Sequence, residues 1–156
     1  MIMETPATLV LDSLGIPYRL FQHQGPIHDL EQAALERGQQ PGQLVRSLLF
    51  RIRKGEYILV LAAGMGQVSW SRLREYLGVN RLTTATEEEV RQVTGYEPGA
   101  VAPFGHPSPI RTLVDENVFL LEEISMGSGV KGVAIILKAN YLSIALDQFE
   151  TGRFIK

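Results

Sequence analysis

The chain has 156 residues, of which 45% are hydrophobic and 21% charged. That balance excludes a disordered chain, and one domain of this size completes its core without disulfides or structural metal. It has no cysteine, which excludes thiol nucleophiles and cysteine-based metal sites, and its net charge of −2 with a pI near 5.9 excludes a general, charge-driven nucleic-acid binder, so any such contact is local.

The segment Met1 to Leu14 carries Glu4 and Asp12 and no basic flank. It does not read as a signal peptide, and a cysteine-free chain fits a cytoplasmic setting. Thr5 as N-cap and Pro6 at the first helical position predict a helix that ends at Gly15. Tyr18 to Gln22 reads as a short strand. A second helix is predicted from Asp29, which caps it, to Gly38. Leu30, Ala33, Ala34 and Arg37 share helical spacing there, and the three apolar residues are expected to face the core.

Val45 to Arg53 and Glu56 to Ala63 are rich in Val, Ile and Leu and flank Lys54-Gly55, which predicts a β-hairpin. Within it Leu48, Phe50 and Ile52 share a face, and Arg46 has the same parity. Arg46 therefore lies on the apolar side at the strand's end, where a long side chain reaches a cleft. The basic stretch of Arg46, Arg51, Arg53 and Lys54, with Arg72 and Arg74, otherwise reads as a solvated strand edge and helix face. The nearly apolar run from Tyr57 to Met65 is far below the roughly 20 residues of a membrane span, so it is a buried strand.

Ser69 caps a predicted helix over Trp70 to Leu77 that Gly78 ends. Thr86 and Glu89 form a capping box that opens another, closed by Gly95. Strands are expected at Arg111 to Val114, Val118 to Ile124 and Val133 to Leu137, with a last helix at Asn140 to Leu146. Strands and short helices without βαβ alternation predict one α+β domain over residues 1–156, with a mixed, strongly curved or closed sheet and flanking short helices.

Familiar catalytic sets are missing: there is no G-x-S-x-G, H-E-x-x-H, P-loop or dinucleotide fingerprint. His23 and His28 have no carboxylates at a metal-binding spacing, so no metal site is expected. Two segments stand out. Gly95 to Gly105 carries three glycines and two prolines, which make a stiff, closely approachable backbone able to hold a ligand through N–H and C=O groups; a rigid surface turn is the other reading. Gly127-Ser128-Gly129-Val130-Lys131-Gly132 offers exposed N–H groups and one cation, but a strand follows it, so by itself it reads as a hairpin turn.

Together these pieces resemble the YbaK/EbsC family and the related editing domain of bacterial prolyl-tRNA synthetases. Thr5-Pro6-Ala7 opens the first helix as in the family. Pro41 through Gln43-Leu44-Val45-Arg46-Ser47-Leu48 is similar to its "P-x-Q-V-x-K-T-L" segment. Thr94-Gly95-Tyr96 to Pro103-Phe104-Gly105 is similar to its "TGY…GG-x-x-P-x-G" loop, and Gly127 to Leu137 to its "SGG-x-x-G-x-x-I-x-L" turn and strand.

The resemblance implies a trans-acting hydrolase of the ester between a small amino acid and the tRNA terminal ribose, with no cofactor. Its partner is the acceptor end of aminoacyl-tRNA, with a synthetase as a second partner. The attacking water is aided by the substrate's own groups, which explains the missing nucleophile. By position, Arg46, Gly99 and Pro103 take the catalytic roles. Tyr18, His23, Ser47, Ala100, Val101, Ala102, Phe104, Gly127, Ser128 and Gly129 take substrate-binding roles, with Met126 a further wall. Three departures stand against the pattern: Arg46 replaces the motif lysine, with Ser47 in place of threonine; Ala100 replaces the second glycine of "GG"; and Ala134 stands where a polar residue is common. Arginine keeps the charge but is planar and always protonated, so an editing-inactive binding or synthetase-interaction module of the same fold is the alternative. Oligomeric state is not encoded in any of these features.

Overall fold

The computed structural model describes residues 3–156. Capping residues set the helices. Thr5 accepts from the Thr8 amide and opens α1, Pro6–Ser13. Asp29 accepts from Gln32 and opens α2, Leu30–Arg37, which Gly38 closes in the left-handed conformation. Ser69 opens α3, Trp70–Leu77, and the Thr86/Glu89 capping box opens α4, Glu87–Thr94. The last helix, α5, is Ala139–Leu146.

Eight strands complete the described residues: β1 Arg19–Gln22, β2 Val45–Arg53, β3 Glu56–Ala63, β4 Thr83–Thr84, β5 Arg111–Asp115, β6 Glu123–Gly127, β7 Val133–Lys138 and β8 Glu150–Gly152. The β2–β3 hairpin pairs Arg46 with Ala62 and Ser47 with Leu61. The larger sheet runs β4-β2-β3-β5-β8, with β3–β5 and β5–β8 parallel; the smaller runs β1-β7-β6 and is antiparallel. β3 is the hub: Ile58 through Ala62 are fully buried, as expected for a central strand covered on both faces.

The architecture is mixed α+β, but the expected strongly curved or closed sheet is not found. Two open sheets stand in its place; among the described residues the Leu44–Ser125 bridge at the start of β2 links them, and they share one hydrophobic core. The strand expected over Val118 to Ile124 is also corrected. Its first part is a 3-10 turn, Glu116–Leu120, and only then does β6 begin. Asp115 is the cause. Its carboxylate caps the turn through the Asn117 amide and also accepts from the Phe154 and Ile155 amides, so the chain turns aside where propensity alone favours extension. The edge strands β4 and β8 were not expected. No helix among the described residues is long and apolar enough to cross a membrane.

Candidate functional site

The start of β2, where the two sheets meet, lies in a groove with two lobes. The first is a cavity of about 360 Å³ walled by α2, β2 and the 126–133 turn, with Leu30, Ala33, Arg37, Val45, Met126 and Gly127 among its lining. The second is about 550 Å³ and is lined by Phe50, Gln67, Trp70, Thr84, Pro98 and Lys156 among others. Arg46, Ser47, Leu48, Gly99 and Val101 line both and form the waist between the lobes.

The waist holds unspent polar atoms. The Arg46 guanidinium donates through Nη2 to the Gly66 carbonyl, which leaves Nε buried without a partner, as is the Ser47 hydroxyl. Burial lowers the Arg46 pKa, a shift that leaves a guanidinium charged at neutral pH. Buried polar atoms are nearly always paired, so two orphans on one cavity wall mark where a ligand's polar groups belong. At the same waist, the amides of Gly99 and Val101 have no hydrogen-bond partner among the described residues. Gly99 adopts φ +87°, a conformation that a side chain disfavours.

The loop carrying Gly99 and Val101 is pinned from several sides. The Tyr96 hydroxyl donates to the Phe104 carbonyl at 2.7 Å, and burial pushes the Tyr96 phenol pKa well up, so it stays a donor. His106 Nε2 lies 2.9 Å from the Ala102 carbonyl, and burial lowers the His106 pKa. The Gly129 amide donates to the Ala100 carbonyl at 2.9 Å. Gly127 packs so closely on the loop that a Cβ there would overlap the Val101 carbonyl. Thr5 ties α1 to the same turn by donating to the Ser128 carbonyl at 2.8 Å.

Behind the first lobe runs a polar chain. Arg37 donates from Nε to His23 Nε2 at 3.0 Å and from Nη1 to the Ser125 hydroxyl at 2.9 Å. His23 Nδ1 sits 2.7 Å from Glu36, and Ser125 donates to Gln39 at 2.7 Å. Because Nε2 accepts from Arg37, the proton of a neutral His23 is on Nδ1, where it is donated to Glu36. His23 and Gln32 together hold the Glu36 pKa low, and burial lowers that of Arg37.

The residues singled out in the sequence divide accordingly. Arg46, Ser47, Gly99 and Val101 meet at the waist, and Gly127 and Met126 line the first lobe. His23 is buried behind that lobe. Ala100 and Ala102 are buried links in the pinned loop, and Ser128 and Gly129 brace it from the turn. Ser128 turns its hydroxyl to the Val133 carbonyl. Pro103 and Phe104 line a separate cavity beside α5, and Tyr18 donates to Asp12 away from the groove.

The chain has known counterparts. The family described as "Aminoacyl-tRNA editing domain" matches residues 24–143. The chain belongs to that family. Among relatives of this editing domain is the multifunctional Ser/Thr-tRNA deacylase ProXp-y of Escherichia coli strain K12, 28% identical over 141 residues that cover 87% of this chain and 84% of the relative. The proline--tRNA ligases of Aquifex aeolicus and Limosilactobacillus fermentum are 24% and 27% identical, covering 85% and 83% of this chain. The editing domain spans only 22% and 23% of the length of those two ligases. A crystal structure described as a candidate trans-editing enzyme for prolyl tRNA synthetase superposes with a TM-score of 0.87 at 25% identity, covering 99% of each chain.

Sequence reasoning missed Arg37, Gln67, Trp70 and Lys156 in the editing domain's groove. For Arg37 a signal existed: it lies three and four residues after Ala34 and Ala33, on the helix's buried face. Gln67 and Lys156 sit outside the regular elements and come together only through the pairing of their segments, Lys156 donating its amide to the Gln67 carbonyl at 2.9 Å.

Proposed function

We propose that this editing domain is a trans-acting aminoacyl-tRNA deacylase that hydrolyses the ester of mischarged tRNA carrying a small amino acid. The waist of the groove carries the reading: one fixed cation, two orphan polar atoms and two unpaired backbone amides belong to residues that line both a small lobe and a larger one. The smaller lobe takes the amino acid, and the larger takes the terminal adenosine against Trp70, with Lys156 near its phosphate. The ester then lies between Arg46 and the loop.

Water attacks the ester carbonyl. The developing oxyanion is met by donors from the Gly99–Val101 backbone or from Arg46, and the C–O bond breaks to release the amino acid and the ribose hydroxyl. One well-placed donor of this kind contributes about 2.7–4 kcal/mol, roughly a hundred- to thousand-fold in rate. Arg46 orients and stabilises charge. It is not the base, because a guanidinium does not give up its proton at neutral pH; the substrate's own hydroxyl or amine aids the water. The whole of residues 1–156 acts as one unit in the cytoplasm, with a synthetase as the partner that supplies mischarged tRNA.

The test is deacylation of Ala, Ser, Cys and Pro esters of tRNA by wild type, Arg46→Lys and Arg46→Ala. Turnover by wild type that drops at least a hundred-fold in Arg46→Ala supports the reading. A second reading rests on Arg46 being tethered to the Gly66 carbonyl: an editing-inactive module that binds the aminoacyl end without turnover. Binding by wild type with turnover appearing only in Arg46→Lys selects it. Neither turnover nor binding by any form defeats both.

A further inference from the structure

The amino-acid lobe is not a plain apolar hole. Its helix wall carries Arg37, and two of that guanidinium's nitrogens are locked: Nε on His23 and Nη1 on Ser125. The third, Nη2, makes no hydrogen bond among the described residues and is not among the buried unpaired atoms, so it keeps a free, accessible donor on a residue that lines the cavity. A flexible surface arginine would discriminate little. This one is held from two directions, which fixes where its last donor lies.

The geometry points to Arg37 as a specificity-determining residue, whose free Nη2 donates to an oxygen acceptor on the substrate's side chain and so selects it over an apolar isostere. The inference rests on the deacylase reading above. Charge decides what kind of oxygen. Glu36 is linked to Arg37 through His23, and Asp29 lines the same lobe, so the cations Arg37 and Arg46 are matched in number by two carboxylates. The lobe is close to neutral, which favours a hydroxyl or another uncharged acceptor over a carboxylate. Selection of this kind is strong, because an apolar isostere leaves a desolvated donor without a partner. His23 is the positioning residue: it touches no substrate and acts by holding Arg37.

Threonine and valine esters on the same tRNA body are isosteric and form the test. For the full chain, kcat/KM is measured on Thr-, Val- and Asp-tRNA with wild type, Arg37→Met and Arg37→Lys. Wild type is expected to prefer Thr over Val by about tenfold to a hundredfold, the worth of a hydrogen bond from a charged donor. Arg37→Met should erase that ratio, lowering turnover of the Thr ester more than that of the Val ester, and Arg37→Lys should restore part of it. A fall of both esters together in Arg37→Met, at an unchanged ratio, marks a merely structural arginine and overturns the inference. Preference for the Asp ester overturns the neutral acceptor. Should wild type turn over no ester, the deacylase reading fails by itself. The inference is then judged by binding of 3′-amide analogues of threonyl- and valyl-adenosine, where a Thr preference lost in Arg37→Met upholds it and equal or absent binding overturns it.

Discussion

Ser47 shows how a single side chain separates stability from function. Its hydroxyl is buried and unpaired, and an unsatisfied buried polar group costs about 1–3 kcal/mol. Ser47→Ala should therefore leave the melting temperature unchanged or raise it, while KM for aminoacyl-tRNA rises; thermal melts beside steady-state kinetics read both, and a large drop in Tm would refute the unpaired state. At this scale the sequence was partly legible. The parity of Arg46 with Leu48 and Phe50 puts it on one face of β2, yet Ser47 on the other face lines the same lobes, so parity alone does not define the groove. Arg37 was legible as a position and not as a role. Its partners are His23, 14 residues earlier, and Ser125, 88 residues later, and no local pattern reaches that far. Tyr18 satisfied its hydroxyl on neighbouring Asp12 and never reached the groove.

Elements were read well wherever a local device fixes them. The caps at Thr5, Asp29, Ser69 and Thr86, and the turn at Lys54-Gly55, stand where side-chain chemistry alone puts them. The three-residue β8 and two-residue β4 exist only because neighbouring strands offer pairing, so no propensity announces them. The capping box of α4 carries a pH signature. Glu89 accepts from the Thr86 amide and from the Tyr57 hydroxyl, and these lower its pKa to about 2. A carboxylate depressed on folding stabilises the fold fully above its unfolded pKa, near 4.3, and that contribution is lost as pH falls toward 2. Glu89→Gln should flatten the acid limb of Tm against pH between about 4.5 and 2, with little change in the slope above it. Gly127 gives the steric counterpart. A methyl there meets the Val101 backbone, so Gly127→Ala should cost about 1–3 kcal/mol of stability by overpacking, measurable by urea unfolding, and should slow turnover by displacing the loop.

Across the whole molecule, the sequence pattern gave the class but not the closure. Alternation and turns identify strands and their faces, yet whether a sheet closes depends on register and on where strands end, and Asp115 ends β5 by turning the chain into a 3-10 segment. The charge distribution has a consequence for binding. Part of the basic stretch is paired within the fold: Arg51 with Glu89 and Arg53 with Glu56, while Arg72 keeps its charge and donates to the Ile155 carbonyl. With two or three phosphates contacted from the groove, the slope of log K against log salt should lie between about −1.4 and −2.1, and a short acceptor-stem RNA should bind nearly as tightly as full tRNA. A much steeper slope would place an extended RNA surface outside the groove.

The loop that walls both lobes presents peptide groups and no nucleophilic side chain. Side-chain replacement cannot delete an amide, so Val101→Ala should be tolerated in deacylation assays and Gly99→Ala should do damage, because the left-handed backbone is at stake there. Such a site is nearly silent in residue identity and explicit in backbone shape. A wall of this kind tolerates change in its side chains, so a search that matches side chains alone overlooks the part of the groove least able to change.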